Sequence, residues 1–155
     1  MRNSGRGATL RLEVQYCEDE GEPPSPRLVR RFLKAALAKP ARLNVRFVGR
    51  AEARRLNSRF RGRRYIPDVL AFPDPDCRPD VIAGDIAVCP AVVERDAAAD
   101  GVGPRERYAH TLVHAALHLS GHSHERRAAR TQMRRCESAA LAALGLGDPW
   151  RGQAG

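Results

Sequence analysis

Residues 10–16 read LRLEVQY, with Leu10, Leu12, Val14 and Tyr16 alternating with Arg11, Glu13 and Gln15. A period of two marks a strand with one buried face, because successive side chains leave opposite faces of a sheet. Residues 18–24 break the pattern, and Ser25-Pro26 then offers an N-cap followed by a proline in the first helical turn. Leu28, Val29, Phe32, Leu33 and Leu37 continue at helical spacing until Pro40. Leu43, Val45 and Phe47 return to alternation against Arg42, Asn44 and Arg46.

Outward from this strand–helix–strand unit, residues 51–59 predict a short and very basic helix. Residues 61–80, with Pro67, Pro73, Pro75, Pro79 and Gly62, predict mostly loop around an extended piece at 69–72. Residues 85–88 continue from Val81 and Ile82 as a further strand, and residues 91–98 form a helical patch before the Gly-Val-Gly-Pro break at 101–104. A helix bearing His110, His114 and His118 follows, then a last helix from about 125 to 144, and the tail after Trp150 is expected to be disordered. No internal repeat is evident. Strands interleaved with helices and closed by two consecutive helices predict one α+β domain over residues 1–155, a small mixed sheet with packed helices.

The charge balance is basic, 27 Lys and Arg against 18 Asp and Glu, a net +9. Only Lys34 and Lys39 are lysines. Such a surplus favours polyanions through counterion release, and arginine suits bidentate phosphate contacts. Cys17, Cys77, Cys89 and Cys136 lie far apart without a C-x-x-C pair, which excludes a zinc ribbon or a thioredoxin-like motif and suits reduced thiols. The start of the chain lacks the apolar run of a signal peptide, and no segment is long enough to cross a bilayer, so a cytoplasmic protein with no membrane partner is expected.

The chemistry concentrates in residues 114–124, HAALHLSGHSH. Helical residues four apart differ by about 40° around the axis and about 6 Å along it, so His114 and His118 can aim at one point. Gly121 offers a left-handed stop, after which His124 can bring a third imidazole to the same ion, giving a metal site at the end of a helix bearing H-x3-H-x5-H. Three imidazoles around a single zinc leave a fourth position for water, whose pKa falls to about 7. His110 and His122 are competing donors, because His110 forms another four-residue pair with His114 and His122 lies beside His124. The spacing overlaps the metzincin signature, but the glutamate that serves a protease as general base is Ala115 here, which speaks against a metallopeptidase.

These residues resemble the YbeY endoribonuclease family of rRNA maturation factors. Its hallmark H-G-x-L-H-L-x-G-Y-D-H is matched at His114, Leu117, His118, Leu119, Gly121 and His124. Leu56, Asn57, Phe60, Arg61 and Gly62 match L-N-x-x-[YF]-R-G, and Val69, Leu70, Phe72 and Pro73 match V-L-S-F-P. Gly84, Asp85, Ile86, Cys89 and Pro90 match G-D-I-x-[IV]-C-P, and Met133, Glu137, Leu144, Gly145 and Pro149 follow the closing helix and tail. The resemblance implies a small α+β fold with the metal histidines at the mouth of a cleft. It also implies cleavage of single-stranded RNA in small-subunit rRNA maturation and ribosome quality control, alongside the small subunit or its assembly factors.

By the same resemblance Arg61 faces the cleft, where a guanidinium can neutralise phosphate oxygens that gain charge during displacement. The chain departs from the pattern at Ala115, at His122-Ser123 in place of Tyr-Asp, at Arg63-Arg64 in place of Lys-Asp, and at Ala71 in place of serine. An aspartate beside the last histidine could orient an imidazole or take a proton, whereas Ser123 can only hydrogen-bond. The alternative to an enzyme is an RNA- or ribosome-binding assembly factor with a structural zinc.

Overall fold

The computed structural model describes residues 9–17, 20–76, 78–121 and 127–147. The described elements run β1 (Leu10–Tyr16), α1 (Pro26–Ala36), β2 (Ala41–Phe47), α2 (Arg50–Arg61), β3 (Val69–Pro73), β4 (Ile82–Val88), α3 (Pro90–Asp100), α4 (Pro104–Leu119) and α5 (Arg127–Ala143). The result is a mixed α+β fold whose sheet has the order β1-β2-β4-β3. β1, β2 and β4 are parallel, with Leu10 opposite Ala41 and Ala41 opposite Ile82, while β3 pairs antiparallel with β4, Val69 opposite Val88.

The alternation read from the sequence has a physical counterpart in β2, where Leu43, Val45 and Phe47 are buried while Arg42 and Asn44 are exposed. β4 is an inner strand, between β2 and β3, and is buried almost throughout, so its pattern is a run of small and apolar residues instead of an alternation. α1 starts as its sequence dictates: the Ser25 hydroxyl accepts from the Leu28 amide at 3.3 Å, and Pro26 occupies the first turn. Its buried face of Val29, Phe32 and Leu33 packs with α4, whose Ala109, Leu112, Val113 and Ala116 are fully buried. α4 is thus the central helix of the core, and only its cleft-side stripe is left for chemistry.

Two helices, α2 and α3, differ in their bounds from the sequence reading. α2 does not stop at residue 59; it continues through Arg61 until Gly62, whose φ of +66° supplies the left-handed cap. Arg61 therefore sits on the last helical turn and not in a loop. α3 begins at Pro90 and runs to Asp100, because proline is favoured in a first turn and Gly101 ends the helix. The start expected for the last helix near residue 125, and the tail after Trp150, lie outside the described residues.

Gly84 marks a close approach between sheet and helix. A Cβ there would lie 2.5 Å from the Phe72 carbonyl oxygen and 3.0 Å from Leu119 Cδ2, which leaves room for hydrogen alone. Gly84→Ala should destabilise the fold by about 1–3 kcal/mol, the usual scale of overpacking, as read from denaturant unfolding. An unchanged midpoint would show that β3 and α4 yield freely. Among the described residues no helix is long and apolar enough to cross a membrane.

Candidate metal centre and its cleft

A cleft of about 660 Å³ opens between α4, β3 and the C-terminal turn of α2. α4 contributes Arg107, His110, Thr111, His114, Ala115 and His118 to its wall, and Arg61 stands in the lining with Asp68 and the β3 residues Val69, Leu70 and Ala71. The sequence sets this up through one helical period: the opposite face of α4 is consumed by the core, so residues four apart line the remaining stripe. The His114 and His118 rings lie with centroids 4.7 Å apart and planes 66° apart, while His110 and His114 are 6.4 Å apart. Gly121, at φ +98°, has the positive dihedral expected of the stop after this helix.

Glu137 closes the back of the site. It projects from α5 among Met133, Ala140 and Leu141 and is fully buried. Burial opposes ionisation of its carboxyl, but hydrogen bonding and charge from His110 and His114 outweigh that and hold it down at about 2. The ionised carboxylate accepts from His114 Nδ1–H at 2.5 Å, and His110 Nε2 lies 3.8 Å from the same oxygen. In the neutral His114 ring this fixes the tautomer and leaves Nε2 with the lone pair. A histidine whose far nitrogen is held by a carboxylate is the usual partner arrangement of a metal-binding imidazole, so the donor chemistry of His114 and His118 fits a divalent ion.

Among the described residues no three His, Cys, Asp or Glu side chains form a metal-holding group. His110, His114 and His118 therefore do not make a triad by themselves. His124 and its competitor His122 lie outside the described residues, as does Ser123. Ala115, at the position where a peptidase would carry its base, is buried and offers no proton acceptor.

Arg61 is exposed within the cleft lining, whereas Arg63 and Arg64 are exposed outside it. The turn that carries Arg61 is fixed from beneath: buried Asn57 donates from Nδ2 to the Tyr65 carbonyl at 2.9 Å, and its own carbonyl accepts from the Arg63 amide at 3.2 Å. The Leu-Asn of the motif thereby positions its Arg-Gly. Sequence reasoning gave no role to Glu137 or Arg107. A legible signal existed for Glu137, since it occupies a position of the apolar stripe Met133, Glu137, Ala140, Leu141, where a lone carboxylate needs a buried partner.

Comparison with known proteins gives the family. The family described as Endoribonuclease YbeY matches residues 23–145, a span that holds Arg61, His114, His118, His124 and Glu137. The chain belongs to the YbeY endoribonuclease family. A relative named Endoribonuclease YbeY from Alkalilimnicola ehrlichii is 42% identical over 153 residues, covering 92% of each chain. The protein of that name from Methylibium petroleiphilum is 41% identical over 142 residues, 91% of this chain and 94% of its own. That from Thiobacillus denitrificans is 37% identical over 141 residues, 91% of this chain and 96% of its own. A solution structure of a Thermotoga maritima protein shares the fold, with a TM-score of 0.52 and 22% identity over 92% of this chain and 99% of that one.

Proposed function

We propose that this chain is a zinc-dependent endoribonuclease that cleaves single-stranded RNA during small-subunit rRNA maturation and ribosome quality control. It acts in the cytoplasm, in contact with the small subunit or its assembly factors, and residues 1–155 serve as one domain. The observation that carries the reading is the cleft itself, which sets Arg61 in one wall and the Glu137-held His114 with His118 in the other. In this reading His114, His118 and His124 are the residues that would hold one ion. When bound, zinc supplies Lewis acidity toward a phosphoryl oxygen and a water of lowered pKa.

The chain's own residues do the rest. Arg61 donates to the non-bridging phosphate oxygens, where charge accumulates as the phosphodiester is displaced. Glu137 keeps the His114 ring in one tautomer and orientation and stays ionised while doing so. Val69, Leu70 and Ala71 form an apolar part of the cleft wall. The net +9 attracts the RNA backbone without reading its bases.

Metal analysis of the purified protein, coupled to cleavage of single-stranded and duplex RNA, tests the reading. One zinc per chain with preferential cleavage of the single strand is expected. Zinc without cleavage would make the chain a binding factor with a structural ion. In the same assay RNA affinity should fall steeply with salt, with a log–log slope near −3 if about four phosphates are contacted, and it should vary little with base sequence. A flat salt response would remove the backbone-binding component.

A further inference from the structure

The cleft holds a second arginine that the reaction as described does not use. Arg107 lies three residues before His110 and seven before His114 on the same stripe of α4, which places its Cα about 10 Å along the axis from that of His114. Its side chain is only 22% exposed, and its guanidinium donates to the Asp100 carboxylate, which is 57% exposed. Asp100 is the last residue of α3, and no basic residue stands in that last turn. A carboxylate at a helix C-terminus faces the negative end of the dipole, so the stability of α3 does not account for it. Holding Arg107 does. The other acids of the lining are otherwise engaged, Asp68 by the Val69 amide at 2.8 Å and Asp96 by Arg95 at 3.2 Å.

We propose that Arg107 is a second phosphate-binding residue of the cleft, taking a backbone phosphate of the RNA next to the one that reacts, and that Asp100 occupies its guanidinium until RNA arrives. The proposal rests on the reading of the cleft as an RNA site. An ion pair with so exposed a carboxylate is weak in water, while a phosphate offers the guanidinium a bidentate partner. Exchange of Asp100 for phosphate therefore favours bound RNA and keeps the arginine placed along the wall in its absence.

The test is steady-state cleavage of a fluorogenic single-stranded RNA by the zinc-loaded protein across a salt series. Arg107→Ala should raise KM about tenfold, with the effect larger on KM than on kcat, and should make the salt slope shallower by about one. Arg107→Lys, which keeps the charge and the helix but not the planar fork, should fall between. Asp100→Asn should lower KM roughly threefold, and that gain should vanish in the Arg107→Ala background. An unchanged KM and salt slope in Arg107→Ala, or an equal gain from Asp100→Asn with and without Arg107, would overturn the proposal. Wild-type protein that neither binds nor cleaves RNA would instead bring down the endoribonuclease reading, and this proposal with it.

Discussion

His114→Ala should cost the protein its zinc, roughly 1000-fold or more of its cleavage, and part of its stability even before metal is considered. The first two losses follow from the ligand role proposed for His114, since a divalent ion would supply several kcal/mol of charge stabilisation to phosphodiester cleavage. The third follows from Glu137. Its carboxylate is fully buried and ionised, and the substitution withdraws the imidazole that donates to it at 2.5 Å. Taking a donor from a buried charge costs about 1–3 kcal/mol or more. His114→Ala should therefore unfold earlier than wild type with a chelator present in both samples. His118→Ala should lose the metal but show less of this chelator-independent deficit, because the Glu137 contact stays intact. Zinc stoichiometry by mass spectrometry and urea unfolding with and without chelator separate the two contributions. Retained zinc in His114→Ala would remove that residue from the ligand set.

The strands were legible because one buried face imposes its own period: Leu43, Val45 and Phe47 alternate with polar residues since α1 and α4 cover one side of β2. The helical spacing of His114 and His118 was legible for the same reason. The sheet order was not, because the pairing of β4 with β2 depends on segments far apart in sequence that local patterning does not encode. The end of α2 was misplaced by two residues because the prolines that follow look like the breaker, whereas Gly62 is the actual stop. Glu137 was visible in the family match without a role, since only the packing of α5 against α4 reveals which imidazole it serves. The orienting carboxylate sought beside His124 is, for His114, contributed by a different helix altogether. Arg107 was hidden among many arginines, and only its place in the cleft lining distinguishes it.

Arg61→Ala should retain zinc and fold and still lose cleavage by about 100-fold or more, the scale of deleting one preorganised transition-state donor. The fold is spared because Arg61 is exposed and the turn beneath it is held by Asn57, by the Gly62 cap and by backbone hydrogen bonds that do not involve the guanidinium. The metal is spared because His114 and His118, two of the proposed ligands, stand on α4 across the cleft from Arg61. Arg61→Lys should recover only part of the rate, since an ammonium keeps the charge but not the two parallel donors that match phosphate oxygens. Arg63→Ala or Arg64→Ala, at positions exposed outside the cleft, should weaken RNA binding modestly and shift the salt dependence without a comparable loss at saturating RNA. Single-turnover cleavage at saturating RNA, with zinc content measured on the same samples, is the deciding comparison. If Arg61→Ala cleaves at the wild-type rate once RNA is saturating, Arg61 anchors the substrate and does not stabilise its reaction. The developing charge would then fall to the ion and to the RNA's own groups.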